Sequence, residues 1–209
     1  MRRASSPVAE SAPVQKPATY CIYVLALAGQ DGNVHKLYHD RQYGFPLRDD
    51  NELFCRLILD INQAGLSWTT ILKKEEGFRS AYEDFDIRKV AAYGERDMNR
   101  LLGDERIIRN RLKVRAAVEN ARRIISLANE HGSFKAWLDH HHPQSIESWT
   151  SLFKSAFTFT GGEIVKEFLV STGYLPGAHE KRCRVYAEIL NLKPPWSLAH
   201  PAVKPRAKR

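Results

Sequence analysis

Apolar side chains recur at helical spacing along most of this chain, and the residues between the runs are of the kinds that start and stop helices. Leu53, Phe54, Leu57, Ile58 and Ile61 fall on one face of a predicted helix, with Asp49 or Asp50 ahead of it as a cap and Gly65 behind it as a stop. Ser67 caps the next pattern, which buries Trp68, Ile71 and Leu72, and a further helix is predicted to carry Phe78, Ala81, Tyr82 and Phe85. Asp86 opens a segment with Val90 and Tyr93, and Met98, Leu101 and Leu102 lead to Gly103. A long pattern through Leu112, Ala116, Ala117, Ala121, Ile124, Ile125 and Ala128 ends at Gly132, a residue type suited to helix termination. Ser133 starts a turn with Phe134 and Trp137, and Leu152 to Ala156, Ile164 to Leu169 and Cys183 to Leu190 complete the set. Only Thr19 to Leu27 reads as a strand. Without alternating β and α units or an internal repeat, the pattern predicts an all-α fold of about eight or nine short helices.

With 209 residues the chain suits one domain, and its 43% hydrophobic content excludes wholesale disorder and low-complexity classes. The net charge of +8 suggests a polyanionic partner, but its position matters more than its size. Residues 1–18 carry +2, the Pro-rich residues 193–209 carry +5, and 19–192 are left with +1. Both ends are too poor in apolar residues to pack, which predicts two loose basic tails around a nearly neutral domain. The Arg-led start runs into polar residues, and no stretch approaches the about 20 apolar residues of a membrane span. These features predict a cytoplasmic protein with no membrane attachment. Cys21, Cys55 and Cys183 are too few and too far apart for a disulfide framework.

Four constellations could carry chemistry. His179 and Cys183, four apart on a helical pattern, have the reach of a zinc pair, and Cys21 and His39 could complete a tetrahedron joining the two ends of the domain. A buried cysteine beside a surface histidine is the plain alternative, and the run His140, His141, His142 reads as a polar loop. Asp60 stands among Leu57, Ile58, Leu59 and Ile61, where an ionised carboxylate is costly without a partner, although it could lie on the solvent edge of its helix. Nearby are Tyr38, Tyr43 and Trp68. Between 106 and 123, seven basic residues including Arg109 and Arg111 face the single acid Glu119, a solvated face or a phosphate contact. In residues 151–173, Gly161 and Gly162 separate two helical patterns and open the second, which carries Lys166. That is a helix-hairpin-helix reading, because amides at a helix start suit phosphate oxygens; an ordinary helical hairpin fits the same pattern.

"YHDRQYGFP", "NQAGLSWTTILKKEEGFRSAYEDFD", "RNRLKVRAAVENA" and the closing His179-x-x-x-Cys183 together resemble the DNA-3-methyladenine glycosylase I family, the Tag type within the helix-hairpin-helix glycosylase superfamily. The similarity runs from about Cys21 to Cys183. It implies an all-helical fold with a structural zinc held by Cys21, His39, His179 and Cys183. It further implies a monofunctional enzyme, without lyase activity, that flips 3-methyladenine out of double-stranded alkylated DNA and hydrolyses its N-glycosidic bond. Carried over by position, Tyr38, Trp68, Tyr43 and Tyr23 match base-binding aromatics and Asp60 the family's pocket glutamate. Gly161, Gly162, Lys166, Arg109 and Arg111 fall where the backbone would be gripped. The enzyme would act as a monomer, in the cytoplasm at the nucleoid.

Three departures accompany the match. Asp60 is one methylene shorter than glutamate, drawing the carboxylate back by roughly 1.5 Å. Tyr43 and Tyr23 stand where the family has tryptophan, and the segment between Cys21 and His39 is longer than usual. The Asp60 substitution motivates an alternative, a catalytically silent DNA-binding or damage-recognition module on the same scaffold. A small-molecule enzyme using Asp60 in a helical pocket is the third reading.

Overall fold

The computed structural model describes residues 18–198, and every regular element among them is helical. The N-terminal pair is α1 (Tyr20–Leu25) and α2 (Val34–Arg41). The body comprises α3 (Asp50–Gln63), α4 (Trp68–Ala81), α5 (Ile87–Ala91), α6 (Glu95–Gly103), α7 (Arg111–His131) and α8 (Phe134–His141). It is completed by α9 (Ile146–Ala156), α10 (Gly162–Ser171) and α11 (Arg184–Asn191), with short 3-10 turns at Glu83–Phe85 and Pro195–Ser197. No helix among the described residues is long and apolar enough to cross a membrane.

The hub is α3. Asp49 caps it by accepting the Glu52 amide at 3.0 Å, every residue from Leu53 to Asn62 is buried, and the chain leaves through Gly65 at φ +81°. Helices α4, α7, α8 and α10 pack around it, so α3 has no polar face. Its two buried charges, Arg56 and Asp60, lie one turn apart. Asp50 also accepts the amides of Phe134 and Lys135 at 2.8 and 2.9 Å, which fixes the start of α8 against the start of α3. The longest helix, α7, begins at the Asn110 cap and ends at Gly132, φ +94°.

Four expectations change. Residues 20–25 form a helix in place of the strand: Thr19 accepts the Ile22 amide at 3.2 Å, and Cys21 and Val24, three apart, turn inward. A lone strand would have left its backbone groups without a ladder, whereas a helix satisfies them within itself. The two helices predicted between 67 and 85 run together in α4 as far as Ala81, because Ile71 and Phe78 are seven apart and share a face, and Phe85 falls in the 3-10 turn that follows. His179 and Cys183 lie on a turn ahead of α11, in which the Cys183 amide bonds the Glu180 carbonyl at 2.8 Å, and not on a helix. The packed body also runs past 192: the Trp196 amide donates to the Gly173 carbonyl at 3.3 Å, and its ring lies 6.1 Å from that of Tyr186. The rest of the expected tails, 1–17 and 199–209, lies outside the described residues.

Candidate functional site

Helices α1, α2, α3, α4 and α10 converge on a cleft of about 610 Å³, within the range of small-ligand sites. Its aromatic walls are Tyr20, Tyr38, Tyr43 and Trp68, its rim is Gln63, Ala64 and Gly65, and its far side is Glu163, Ile164 and Glu167 of α10. The rings brace one another. Tyr38 meets Trp68 edge-on with centroids 5.1 Å apart, and Tyr20 meets Tyr43 at 5.4 Å and 87°. Tyr38 is held from behind, since the Arg56 guanidinium lies 4.9 Å from its ring centroid and donates to its hydroxyl at 2.6 Å. The rim is held by buried Lys113 of α7, whose ammonium donates to the carbonyls of Asn62 and Ala64 at 2.8 and 2.7 Å.

Asp60 lies behind this wall. It is 2% exposed, and neither carboxylate oxygen reaches solvent or finds a hydrogen-bond partner among the described residues. Burial, reinforced by the charge of Glu167 and opposed by Arg56, holds its carboxyl well above the usual carboxylate range. Glu167 is half-buried and lines the cleft; burial raises its carboxyl too, against the pull of Arg56 and of the nearby Tyr43 hydroxyl. Tyr23 is not on the wall. It stacks on Tyr20 at 6.1 Å and meets His35 edge-on, so it supports the cleft from outside.

A second centre lies beside the cleft. Cys21, His39, His179 and Cys183 bring their ligand atoms within 4.8 Å of one another. His39 Nε2 and His179 Nδ1 are 3.2 Å apart, and the four nitrogen-to-sulfur distances run from 3.4 to 3.7 Å. A tetrahedral metal about 2.0–2.1 Å from nitrogen and about 2.3 Å from sulfur would separate these pairs by about 3.3 and about 3.6 Å, so the donor set fits. The outer hydrogen bonds fix both tautomers. His39 donates from Nδ1 to Asp40 at 2.8 Å and His179 from Nε2 to the Tyr43 carbonyl at 2.8 Å, leaving Nε2 and Nδ1 as inward lone pairs. Burial lowers His179 to about 4, which keeps it neutral. Asp40 also pairs with Arg184, and Thr19 donates to Glu180 at 2.5 Å, so the two ends of the domain are sewn together around the cluster. Gly44 makes that closure possible: its φ is +80°, and a Cβ there would stand 2.5 Å from that of Ala178.

The basic segment is largely engaged. Arg106 pairs with Asp104, Arg109 with Glu105 and Arg115 with Glu119, while Arg122 donates to the Ala91 and Tyr93 carbonyls. Arg111 and Arg123 are exposed, and no ion pair engages them among the described residues. In the hairpin, α9 and α10 are joined by residues 157–161, which Asn120 of α7 fixes through paired bonds with Thr158 at 2.8 and 3.0 Å. Gly161 and Gly162 are exposed at the start of α10, and Lys166 shares a groove with Glu147 and Glu163.

Comparison with known proteins places this architecture. The model of the methyladenine glycosylase family matches residues 29–150. DNA-3-methyladenine glycosylase 1 of Escherichia coli K12 is 34% identical over 168 residues, 71% of this chain and 89% of that one. The chain belongs to the methyladenine glycosylase family. Among solved structures, 3-methyladenine DNA glycosylase I from Staphylococcus aureus superposes with a TM-score of 0.67 at 33% identity, covering 73% of this chain and 90% of that one. A variant of 3-methyladenine DNA glycosylase I in complex with 3-methyladenine superposes at 0.66 and 32% identity, covering 73% and 91%.

Within this methyladenine glycosylase, the sequence motifs locate Tyr38, Tyr43 and Trp68 but miss four residues that shape the cleft. Tyr20 carried no signal beyond its aromaticity. Arg56 was detectable, because it breaks the same apolar run as Asp60 four residues earlier. Lys113 was submerged in the basic cluster, although it is the buried member of that cluster. Glu167 sits inside the apolar run of α10, four residues from Glu163, a spacing that puts both acids on one helix face.

Proposed function

We propose that this protein is a monofunctional DNA glycosylase that excises 3-methyladenine from alkylated double-stranded DNA. The observation that carries the reading is the chemistry of the cleft: four aromatic rings form its walls, and its charged lining residues, Glu163 and Glu167, are both acidic. Such a cleft suits a flat, electron-poor cation. Methylation at N3 makes adenine in DNA that species, and the base must leave the helix stack to be reached.

Tyr38, Tyr43 and Trp68 stack on and bracket the flipped base, with Tyr20 beside them and Tyr23 bracing Tyr20. When the bond from C1′ to N9 breaks, its electron pair passes to the base, which departs neutral; water adds to C1′ and gives up a proton. Because methylation has already weakened that bond, holding the flipped base supplies much of the catalysis. The acids that line the cleft, Glu163 and Glu167, favour positive charge in the base and in the sugar as it becomes cationic. A lyase would need a free amine to attack C1′. The buried amine at the rim, Lys113, is committed to two carbonyls, which supports simple hydrolysis.

The Cys/His cluster is read as a structural zinc site, held by Cys21, His39, His179 and Cys183; zinc there would join the terminal segments and take no part in the reaction. The α9–α10 hairpin is read as a helix-hairpin-helix grip, with Gly161 and Gly162 offering amides to a phosphate and Lys166, Arg109 and Arg111 adding charge. The chain would act as a monomer in the compartment that holds the DNA, the cytoplasm at the nucleoid.

The test is incubation of the folded protein with methylated duplex DNA and chromatography of the released bases. Free 3-methyladenine well above the spontaneous rate is expected, with strands cleaved only after alkali and no borohydride-trapped adduct. Release no faster than without protein would overturn the proposal in favour of a silent binding module.

A further inference from the structure

We propose that Glu167, and not Asp60, is the carboxylate that reads the flipped base, accepting hydrogen bonds from its exocyclic amine, while Asp60 is a buried support behind the aromatic wall. The proposal rests on the glycosylase reading and adds to it the residue that sets base preference.

Placement is the first argument. Both acids belong to one charged group, but Asp60 has its two oxygens sealed from solvent and unbonded, whereas Glu167 lines the cleft with Tyr20, Tyr38, Tyr43 and Trp68. A group that must meet a ligand has to reach the cavity. Glu167 lies in the second turn of α10, on the face that also carries Glu163 to the cleft, and Tyr43 lines the same cleft beside it. That arrangement leaves acceptor capacity for an amine stacked beside the Tyr43 ring.

Charge balance is the second. Arg56 is the buried cation of the group, and its hydrogen bonds go to neutral acceptors, the Tyr38 hydroxyl at 2.6 Å and the Gln42 side-chain carbonyl at 3.2 Å. It therefore balances the acids through space, and one guanidinium balances one carboxylate. The second acid keeps its proton, and the environments decide which: burial raises both and Arg56 pulls on both, but Asp60 is sealed with no donor at either oxygen, whereas Glu167 opens onto the cleft beside Tyr43. The anion accordingly faces the cleft. A cationic purine then meets a negative charge at the surface of the site, and no rearrangement of α3 is required to compensate for the shortened side chain at position 60.

The experiment compares wild type with Glu167→Gln, Glu167→Asp and Asp60→Asn in two measurements: binding of free 3-methyladenine, followed by tryptophan fluorescence, and single-turnover release from methylated duplex DNA. Glu167→Gln is expected to weaken binding and slow release by roughly 10- to 100-fold, the effect of losing a charged hydrogen bond. Glu167→Asp should fall between Glu167→Gln and wild type, and Asp60→Asn should change both by less than about 3-fold. Circular dichroism melts identify variants that fail to fold, in which case Glu167→Asp becomes the deciding comparison. Asp60→Asn losing both properties while Glu167→Gln keeps them would assign the reading to Asp60 and overturn the proposal, as would equal losses in the two. Wild type that binds the base without releasing it overturns the glycosylase reading alone, with Glu167→Gln binding still deciding this one. Wild type that does neither overturns both.

Discussion

His179 donates its Nε2 proton to the backbone carbonyl of Tyr43 at 2.8 Å, so one ring belongs to the Cys/His cluster on one side and steadies the aromatic cleft on the other. A metal bound at His179 Nδ1 would therefore fix the backbone of a cleft-wall residue. Stripping the metal with a strong chelator, or replacing Cys183 with Ser, is expected to lower Tm by about 10 °C or more, since structural metal sites contribute several kcal/mol to folding. Weaker binding of 3-methyladenine should accompany the loss even below the new Tm. Elemental analysis should give about one zinc per wild-type chain and far less in Cys183→Ser. Unchanged metal content in that variant would remove Cys183 from the ligand set.

Gly44 tests the same closure from the backbone side. Its φ of +80° already disfavours a side chain, and a Cβ would collide with Ala178 at 2.5 Å and press on Ile189 at 3.3 Å. Gly44→Ala should cost about 2–4 kcal/mol, against about 1 kcal/mol for Gly29→Ala, where φ is +81° but no atom lies within 4 Å. Urea denaturation of the two variants separates the clash from the conformational cost alone. Equal losses would mean that the loop at Gly44 yields to the added methyl group.

Much of this site was legible in the sequence because its parts are local. "YHD" and "GLSW" carry Tyr38, His39 and Trp68, and the caps at Asp49, Ser67 and Ser133 are single residues with known effects. What escaped is what tertiary packing decides. No local rule says that α10 turns Glu167 toward a cavity formed mainly by α1 to α4, or that Lys113 leaves its basic neighbours to hold the end of α3. The strand predicted at Thr19–Leu27 failed for a related reason: strand propensity is expressed only when a neighbouring strand exists, and among the described residues none does.

The burial of Asp60 has a signature in the pH dependence of stability. Its folded carboxyl titrates well above the unfolded value of about 3.9, chiefly because it is desolvated and further because Glu167 is near, with Arg56 opposing. The folded chain thus holds a proton that the unfolded chain releases. That contribution to stability is fully present below about pH 4 and is lost as pH rises through the raised folded pKa. Asp60→Asn carries no such proton, so its stability relative to wild type should improve steadily from pH 4 upward. Glu167, raised in the same direction, leaves a residual slope of the same sign in the variant. Urea midpoints at several pH values provide the measurement, and parallel curves for the two proteins would show that Asp60 ionises as freely folded as unfolded.

The C-terminal charges can be separated from the packing that precedes them. Lys193 and Trp196 belong to the described body, whereas Lys204, Arg206, Lys208 and Arg209 follow Leu198. Truncation after Leu198 removes four positive charges and keeps the Trp196 contact with Tyr186. It should leave Tm unchanged while reducing the slope of log affinity for DNA against log salt by up to about 3.6, because each phosphate neutralised contributes about 0.9. Truncation after Leu192 loses Lys193 and Trp196 as well, so it should also lower Tm. Both should retain the preference for 3-methyladenine over unmodified adenine, since the cleft residues lie between Tyr20 and Glu167. Loss of that preference in the truncation after Leu198 would show that the basic end takes part in recognising the lesion and does more than hold the protein on DNA.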